Sequence, residues 1–295
     1  MKTLSTERKL KTLTDKIEAK NGTIEDNYQD LYNYVKNLEN QKDQVVLSII
    51  LPMYNEENTI KTILEELPNN SAIEIIVVDD HSTDNSLKEI EKVKFKRDIN
   101  VISHEKNRGY GGAIISGISL AKGDIIVTMD TDGQHDPGDI INLVKPIFDG
   151  EADYTIGSRY KGAYYYQIPV LNRLGELIVE KLIQIFFGTR LMNNQTGFRA
   201  FTREVLPIFY DTKYHGYAFC TEQILKVSLS GFKIKECPIK VYGRAYGSSN
   251  IILTKIAVNI FSCLFHYFLK KIGLTFKKTK RFKQILKAVF RFGLK

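Results

Sequence analysis

The feature that most constrains the fold of this chain is a series of continuous apolar runs separated by helical stretches. Residues 45–51, 73–78 and 125–129 are rich in Val, Ile and Leu, with almost no polar alternation. Runs this short and uninterrupted suit strands buried on both faces. Residues 56–67, a segment from about Asp84, residues 109–122 and residues 136–148 read as helices between and after them. Short strands at 100–103 and 154–157 continue the alternation. The pattern predicts an α/β domain over residues 45–250, with a mostly parallel sheet and helices on both faces. A chain of 295 residues is long enough for one such domain with appendages.

The appendages differ in character. Residues 1–44 read as an accessory, polar helical segment broken at Asn21-Gly22. After residue 159 comes an aromatic loop, 160–166, and then a long apolar helix, 169–187. Residues 251–295 hold eleven Lys or Arg and no acid; these exceed the net charge of +8 by three, so residues 1–250 carry −3. In this tail Lys255, Asn259, Ser262, His266 and Lys270 alternate with Ile256, Ile260, Leu264 and Phe268 at helical spacing. A second basic stretch repeats the pattern with Phe282, Ile285, Leu286, Val289 and Phe290. Two basic amphipathic helices predict an anchor lying on an anionic membrane surface. The alternative is that they pack on their own domain or on a second subunit. Their apolar faces argue against nucleic acid, which is held by grooves that interleave exposed aromatics with charge.

No run reaches the roughly 18–20 apolar residues that span a bilayer. The polar first residues lack an apolar signal core, and Cys220, Cys237 and Cys263 show neither disulfide nor zinc spacing. The expectation is a membrane-associated protein on the cytoplasmic face, peripheral or monotopic.

In a parallel sheet, ligands bind outside the carboxyl ends of the strands, and the chemistry-bearing residues fall there. Residues 125–129 run into Asp130, Asp132 and Gln134, three hard oxygen donors suited to Mg²⁺ or Mn²⁺ beside a diphosphate. His135 fits this set less well. Pro52, Tyr54 and Glu56 close the first strand, where a base and ribose would lie, although Pro and Asn55 also simply end strands. Asp79 and Asp80 end the second strand and point to opposite faces, so one can cap structure while the other meets the nucleotide. The glycine-rich start at 109–112 permits close backbone approach at a helix N-terminus, which favours phosphate, but it has no Gly-Lys-Ser/Thr and is not a P-loop; taken alone, it reads rather as a tight turn that packs a helix on the sheet. Arg159, Arg173, Arg199 and Arg244 follow. Each alone reads as a surface or salt-bridged residue, but beside a metal–diphosphate site a guanidinium cluster suits a second phosphate group.

The ordered motifs VVLSIILPMYNEENTI, IIVVDDHSTDNS, NRGYGGAI, DIIVTMDTDGQHDP, IGSRY, QTGFRAF and VYGRAYGSS span roughly residues 45–249. Together they resemble family 2 glycosyltransferases of the Rossmann-like GT-A fold and, within them, the dolichol-phosphate (polyprenyl-phosphate) sugar synthases. The resemblance implies that Pro52, Tyr54, Glu56 and one of Asp79 or Asp80 surround the nucleotide. It implies that Asp130, Asp132 and Gln134 hold a divalent metal, and that Arg159, Arg173 and Arg244 grip the acceptor phosphate. The chain departs from the family pattern twice: His81 stands where Gly is usual, and Asn193 stands where many relatives have Asp ahead of the Gly-Phe-Arg. The implied reaction is a single displacement with inversion, from a UDP- or GDP-linked sugar to a polyprenyl phosphate. The second pKa of such a phosphate, near ~6, makes a general base dispensable. Transfer to a glycan or another lipid, or a non-catalytic membrane scaffold of the same fold, are the alternatives.

Overall fold

The computed structural model describes residues 46–216, 218–244 and 253–273. The accessory segment expected over 1–44 and the second tail helix expected near 282–291 lie outside the described residues. One sheet contains β1 (Leu47–Met53), β2 (Ile73–Asp79), β3 (Ile99–Ser103), β4 (Ile125–Thr128), β5 (Tyr154–Tyr165), β6 (Arg199–Thr202) and β7 (Ile234–Tyr242). The helices are α1 (Ile60–Glu66), α2 (Ser86–Lys94), α3 (Gly109–Leu120), α4 (Ile140–Phe148), α5 (Val170–Phe187), α6 (Pro207–Tyr210), α7 (Phe219–Leu229) and α8 (Leu253–Lys271).

The strand order is β3-β2-β1-β4-β6-β5-β7, and only β6 runs antiparallel to its neighbours. The expected mostly parallel α/β sheet therefore forms. Every residue of β1 is buried. Leu47, Ile49 and Leu51 join the apolar layer that contains α1 and α4, whereas Ile50 joins the layer that contains α3, α5 and α7. Side chains alternate across a strand, so a sheet covered on both faces needs apolar residues at every position. Successive strands step outward from β1 to β3, and β4 then returns to the other side of β1. The crevice at this reversal is where such sheets bind ligands.

Small residues let α3 lie close to the sheet. A Cβ on Gly117 would sit 2.4 Å from Cγ2 of Ile50, and one on Gly111 would sit 2.5 Å from the Phe219 ring.

Two expectations change. The aromatic stretch 160–166 is mostly strand rather than loop: after an irregularity between Ser158 and Ala163, β5 resumes its pairing with β7, and Tyr165 stacks on Tyr242 at 5.1 Å. A Cβ on Gly162 would lie 2.1 Å from the Ile239 carbonyl oxygen, so the irregularity needs glycine.

The apolar face of α8 is also not free for lipid. Ile260, Cys263, Leu264 and Tyr267 are buried in the core layer shared with α5 and α7. The Tyr267 hydroxyl donates to the buried Glu222 at 2.6 Å, Phe186 and Phe268 pack at 4.7 Å, and Lys271 Nζ donates to the Phe186 carbonyl at 2.8 Å. Residues 253–271 thus belong to the packed domain, because α7 supplies both apolar surface and a polar partner for Tyr267. Among the described residues, no helix is long and apolar enough to cross a membrane.

Candidate active site

The loops after β1 and β4 face each other across the crevice and are tied together. Thr59 Oγ1 donates to the Thr131 carbonyl at 2.6 Å, and Thr131 Oγ1 donates to the Pro52 carbonyl at 2.8 Å. Because β6 is antiparallel to β4, its N-terminal end meets the carboxyl end of β4, and Thr128 Oγ1 donates to the Gly197 carbonyl at 2.7 Å. A cavity of about 450 Å³ opens here, lined by Pro52, Tyr54, Glu56, Asp80, Asp130, Asp132 and Arg244, among others.

Asp130 and Asp132 stand at the mouth of β4. Asp130 hydrogen-bonds the Tyr110 hydroxyl, and burial raises its pKa, with Asp132 adding to the rise. A Cβ on Gly197 would lie 2.1 Å from Asp130 Oδ1, so only glycine leaves room for this carboxylate. Asp132 Oδ2 and Gln134 Oε1 both accept from Arg244 Nε, at 3.0 and 3.3 Å. Gln134 is fixed from behind, since its Nε2 donates to the Tyr242 carbonyl at 2.9 Å. The buried His135 Nδ1 has no hydrogen-bond partner and lies 3.8 Å from Asp130 Oδ2.

These residues fit a divalent cation. The oxygens are hard donors, a guanidinium cation already bridges two of them, and the buried Asp130 carboxyl, whose pKa burial raises, would gain a compensating charge from a cation beside it. Among the described residues no three His, Cys, Asp or Glu side chains form a metal cage. The protein thus offers two carboxylates and an amide oxygen, and other ligands must come from a diphosphate or water.

On the opposite wall, Tyr54 is half exposed. The Glu56 carboxyl is pushed up to about 7, first by burial and then by the Asp132 charge, while Thr59 hydrogen-bonds it. Asp79 accepts from the Ser82 amide at 3.0 Å and so closes the turn that follows β2. Asp80 lines the cavity, but its oxygens also accept from His104 Nδ1 and the Arg108 amide at 2.7 Å, and from the Gly109 amide at 2.8 Å. It thereby pins the glycine-rich start of α3.

The arginines divide. Arg244 lines the cavity. Arg159 on β5 and Arg173 on α5 share a separate cluster with Glu176, Glu180, Tyr160 and Tyr166. Arg199 is buried and donates to the carbonyls of Thr196, Cys220 and Asn194 and to the Tyr154 hydroxyl, so it is a brace for the 194–199 turn. Asn193 is buried as well: its Nδ2 donates to the Gly157 carbonyl at 3.1 Å, a bond that an Asp carboxylate cannot make. His81 has φ 71, the left-handed conformation that favours glycine.

Sequence reasoning passed over two cavity residues. Tyr110 contacts Asp130, and Gln195 is held by Asn194 Oδ1 and by Thr221 Oγ1 at 2.7 Å. Both lie inside motifs already singled out, but only the antiparallel return of β6 brings residue 195 to the crevice.

The family described as glycosyl transferase family 2 matches residues 48–208. The UDP-N-acetylglucosamine–dolichyl-phosphate N-acetylglucosaminyltransferase of Methanococcus voltae is 33% identical over 233 residues, covering 72% of this chain and 93% of that protein. The dolichol-phosphate mannosyltransferase of Pyrococcus furiosus is 31% identical over 212 residues, covering 70% of this chain and 59% of that protein. The structure of Mycobacterium tuberculosis glucosyl-3-phosphoglycerate synthase with Mn²⁺, UDP and phosphoglyceric acid matches with a TM-score of 0.62 and 21% identity. The match covers 79% of this chain and 82% of that one, and it speaks for a shared GT-A fold.

Proposed function

The chain belongs to glycosyl transferase family 2, and from that premise we propose that it moves a sugar from a nucleoside diphosphate onto a polyprenyl phosphate at a membrane surface. The observation that carries the reading is the pairing of two sites. Asp130, Asp132 and Gln134 gather oxygen donors in the crevice beside Pro52, Tyr54 and Glu56. Arg159 and Arg173 form a guanidinium pair at the edge of an apolar helix face. The first suits a nucleoside diphosphate with a divalent cation, and the second suits a phosphate acceptor. The names of two relatives, each a dolichyl-phosphate sugar transferase, support the same acceptor class.

In this reading an oxygen of the acceptor phosphate bonds to the anomeric carbon while the bond to the nucleotide's β-phosphate oxygen breaks, inverting the sugar. The phosphate is already substantially ionised near neutral pH, so no proton has to be removed. Asp130, Asp132 and Gln134 would hold Mg²⁺ or Mn²⁺, which offsets charge on the departing diphosphate. Arg244 sits at the same oxygens and adds positive charge there. The arginine pair orients the acceptor and offsets its charge, so the work is positioning and electrostatic stabilisation.

In this reading membrane contact includes exposed apolar residues of α5 and of the outward side of α8. Val170, Leu171, Leu174 and Ile185 on α5 are exposed, as are Val258, Phe261 and Phe265 on the adjoining α8. Lys255, Lys270 and Lys271 accompany them. Apolar area flanked by lysines suits an anionic bilayer surface.

A donor screen tests the reading. UDP-glucose, UDP-N-acetylglucosamine and GDP-mannose are each incubated with a short polyprenyl phosphate and Mg²⁺ or Mn²⁺. One donor should yield a lipid-linked sugar phosphodiester in step with released nucleoside diphosphate. Release with no phosphodiester product, across all donors, contradicts it.

A further inference from the structure

Arg173, Glu176 and Glu180 recur at i, i+3 and i+7 on α5 and share one face. Glu176 draws donors from three side chains: Arg159 Nη2, the Tyr160 hydroxyl at 2.5 Å and Arg173 Nη1 at 3.3 Å. Glu180 accepts from the same Arg173 nitrogen at 2.9 Å. Two guanidiniums thus face two carboxylates, and Tyr160 stacks under Arg173 with 4.0 Å from ring centroid to guanidinium carbon. The cluster is charge-balanced, yet one donor is idle: Arg159 Nε is buried without a hydrogen-bond partner.

Nε and Nη2 form one edge of a guanidinium, an edge that can hold two oxygens through parallel bonds. Glu176 engages the Nη2 end and leaves Nε unsatisfied. A phosphate monoester carries about −1.5 to −2 charges and three acceptor oxygens, enough to fill both positions. It cannot enter while Glu176 stays, because like charges at this range in a half-buried site repel strongly.

The geometry points to Glu176 as an internal competitor that occupies the acceptor-phosphate seat until a dianionic phosphate displaces it. This rests on the reading above that Arg159 and Arg173 receive the acceptor. The consequence is selection by charge. A doubly charged monoester repays the loss of the Glu176 contacts and completes the Arg159 edge, whereas a singly charged diester or carboxylate merely exchanges one anion for another. Glu180 remains on Arg173 and keeps that guanidinium aimed when Glu176 leaves.

Calorimetric titration of the full chain with geranyl monophosphate, in the absence of donor, tests this. The Glu176→Gln variant keeps the side chain's shape and should bind about tenfold tighter than the wild type, the loss of one charged competitor. Tyr160→Phe removes one of the three donors that hold the carboxylate and should tighten binding in the same direction, by less. The methyl diester of geranyl monophosphate, which in the wild type does not repay the loss of the Glu176 contacts, should gain affinity by a similar factor in Glu176→Gln. If neither variant binds more tightly while Arg159→Ala weakens binding, the phosphate seat stands and the competitor role of Glu176 is overturned. If Arg159→Ala and Arg173→Ala both leave the titration unchanged, the seat itself is misplaced and the inference falls with it.

Discussion

His81 holds φ 71 without the freedom of glycine, and Asn55 with φ 57 pairs with the same turn by accepting from the Thr83 amide at 2.8 Å. Asn tolerates this conformation, but a Cβ-bearing imidazole pays roughly 1–2 kcal/mol for it. His81→Gly should therefore stabilise the protein by a net of about 0.5–1 kcal/mol, after the added unfolded-state entropy of glycine. Chemical denaturation reads this directly, and an unchanged or lowered midpoint counts against the strain. Glu56 gives a pH prediction. Its folded pKa of about 7 lies above the ordinary 4.5 of a free glutamate, so the folded state binds the extra proton between those values. Stability from this group is complete at acid pH and declines as pH rises through that window. Glu56→Gln in metal-free protein should flatten the decline by on the order of 1 kcal/mol, discounted for solvent screening. Urea midpoints at about pH 5 and about pH 8 that move equally in wild type and variant refute the assignment. At this scale the sequence exposed Asp130, Asp132 and Glu56, because an apolar run ending in carboxylates is a local pattern. It did not expose Tyr110 or the orphaned His135 Nδ1, which depend on what lies opposite.

Elements were legible where burial on both faces left an unbroken apolar run, as in β1, β2 and β4. They were not legible for β6, which has four residues, Arg-Ala-Phe-Thr, or for β7, where Lys, Glu and Pro238 interrupt the pattern. The amphipathic period of α8 was plain, but a period fixes a face and not its partner. That partner is α7. Tyr267→Phe leaves the buried Glu222 with one donor fewer and should cost about 1–2 kcal/mol, measured by thermal or urea denaturation. A neutral effect indicates that Glu222 is satisfied by its bonds to the Lys213 and Tyr214 amides alone. The opposite behaviour is expected on α5. Leu171 is 75% exposed and Leu174 is 52% exposed, so Leu171→Glu with Leu174→Glu should leave the melting temperature nearly unchanged. Sedimentation with anionic liposomes should fall severalfold, since apolar area is lost and repulsive charge is gained. Undiminished sedimentation places the membrane contact elsewhere.

At the scale of the whole molecule, the sheet reversal between β1 and β4 brings three separated stretches of chain to one crevice, and the antiparallel β6 adds a fourth. The arginine pair lies on β5 and α5, with α5 also presenting exposed apolar residues. On the proposed function, the crevice would take the nucleoside diphosphate and the arginine pair the amphiphilic phosphate. The most direct measurement compares two acceptors that differ only in the phosphate, a short polyprenyl phosphate and the matching polyprenol, with the active nucleotide sugar and Mg²⁺ or Mn²⁺. Sugar should appear on the phosphate acceptor alone, and turnover should drop by at least about a hundredfold in Asp132→Ala or in excess chelator, from loss of charge stabilisation on the leaving diphosphate. Equal glycosylation of the polyprenol, or full activity in chelator, contradicts the account.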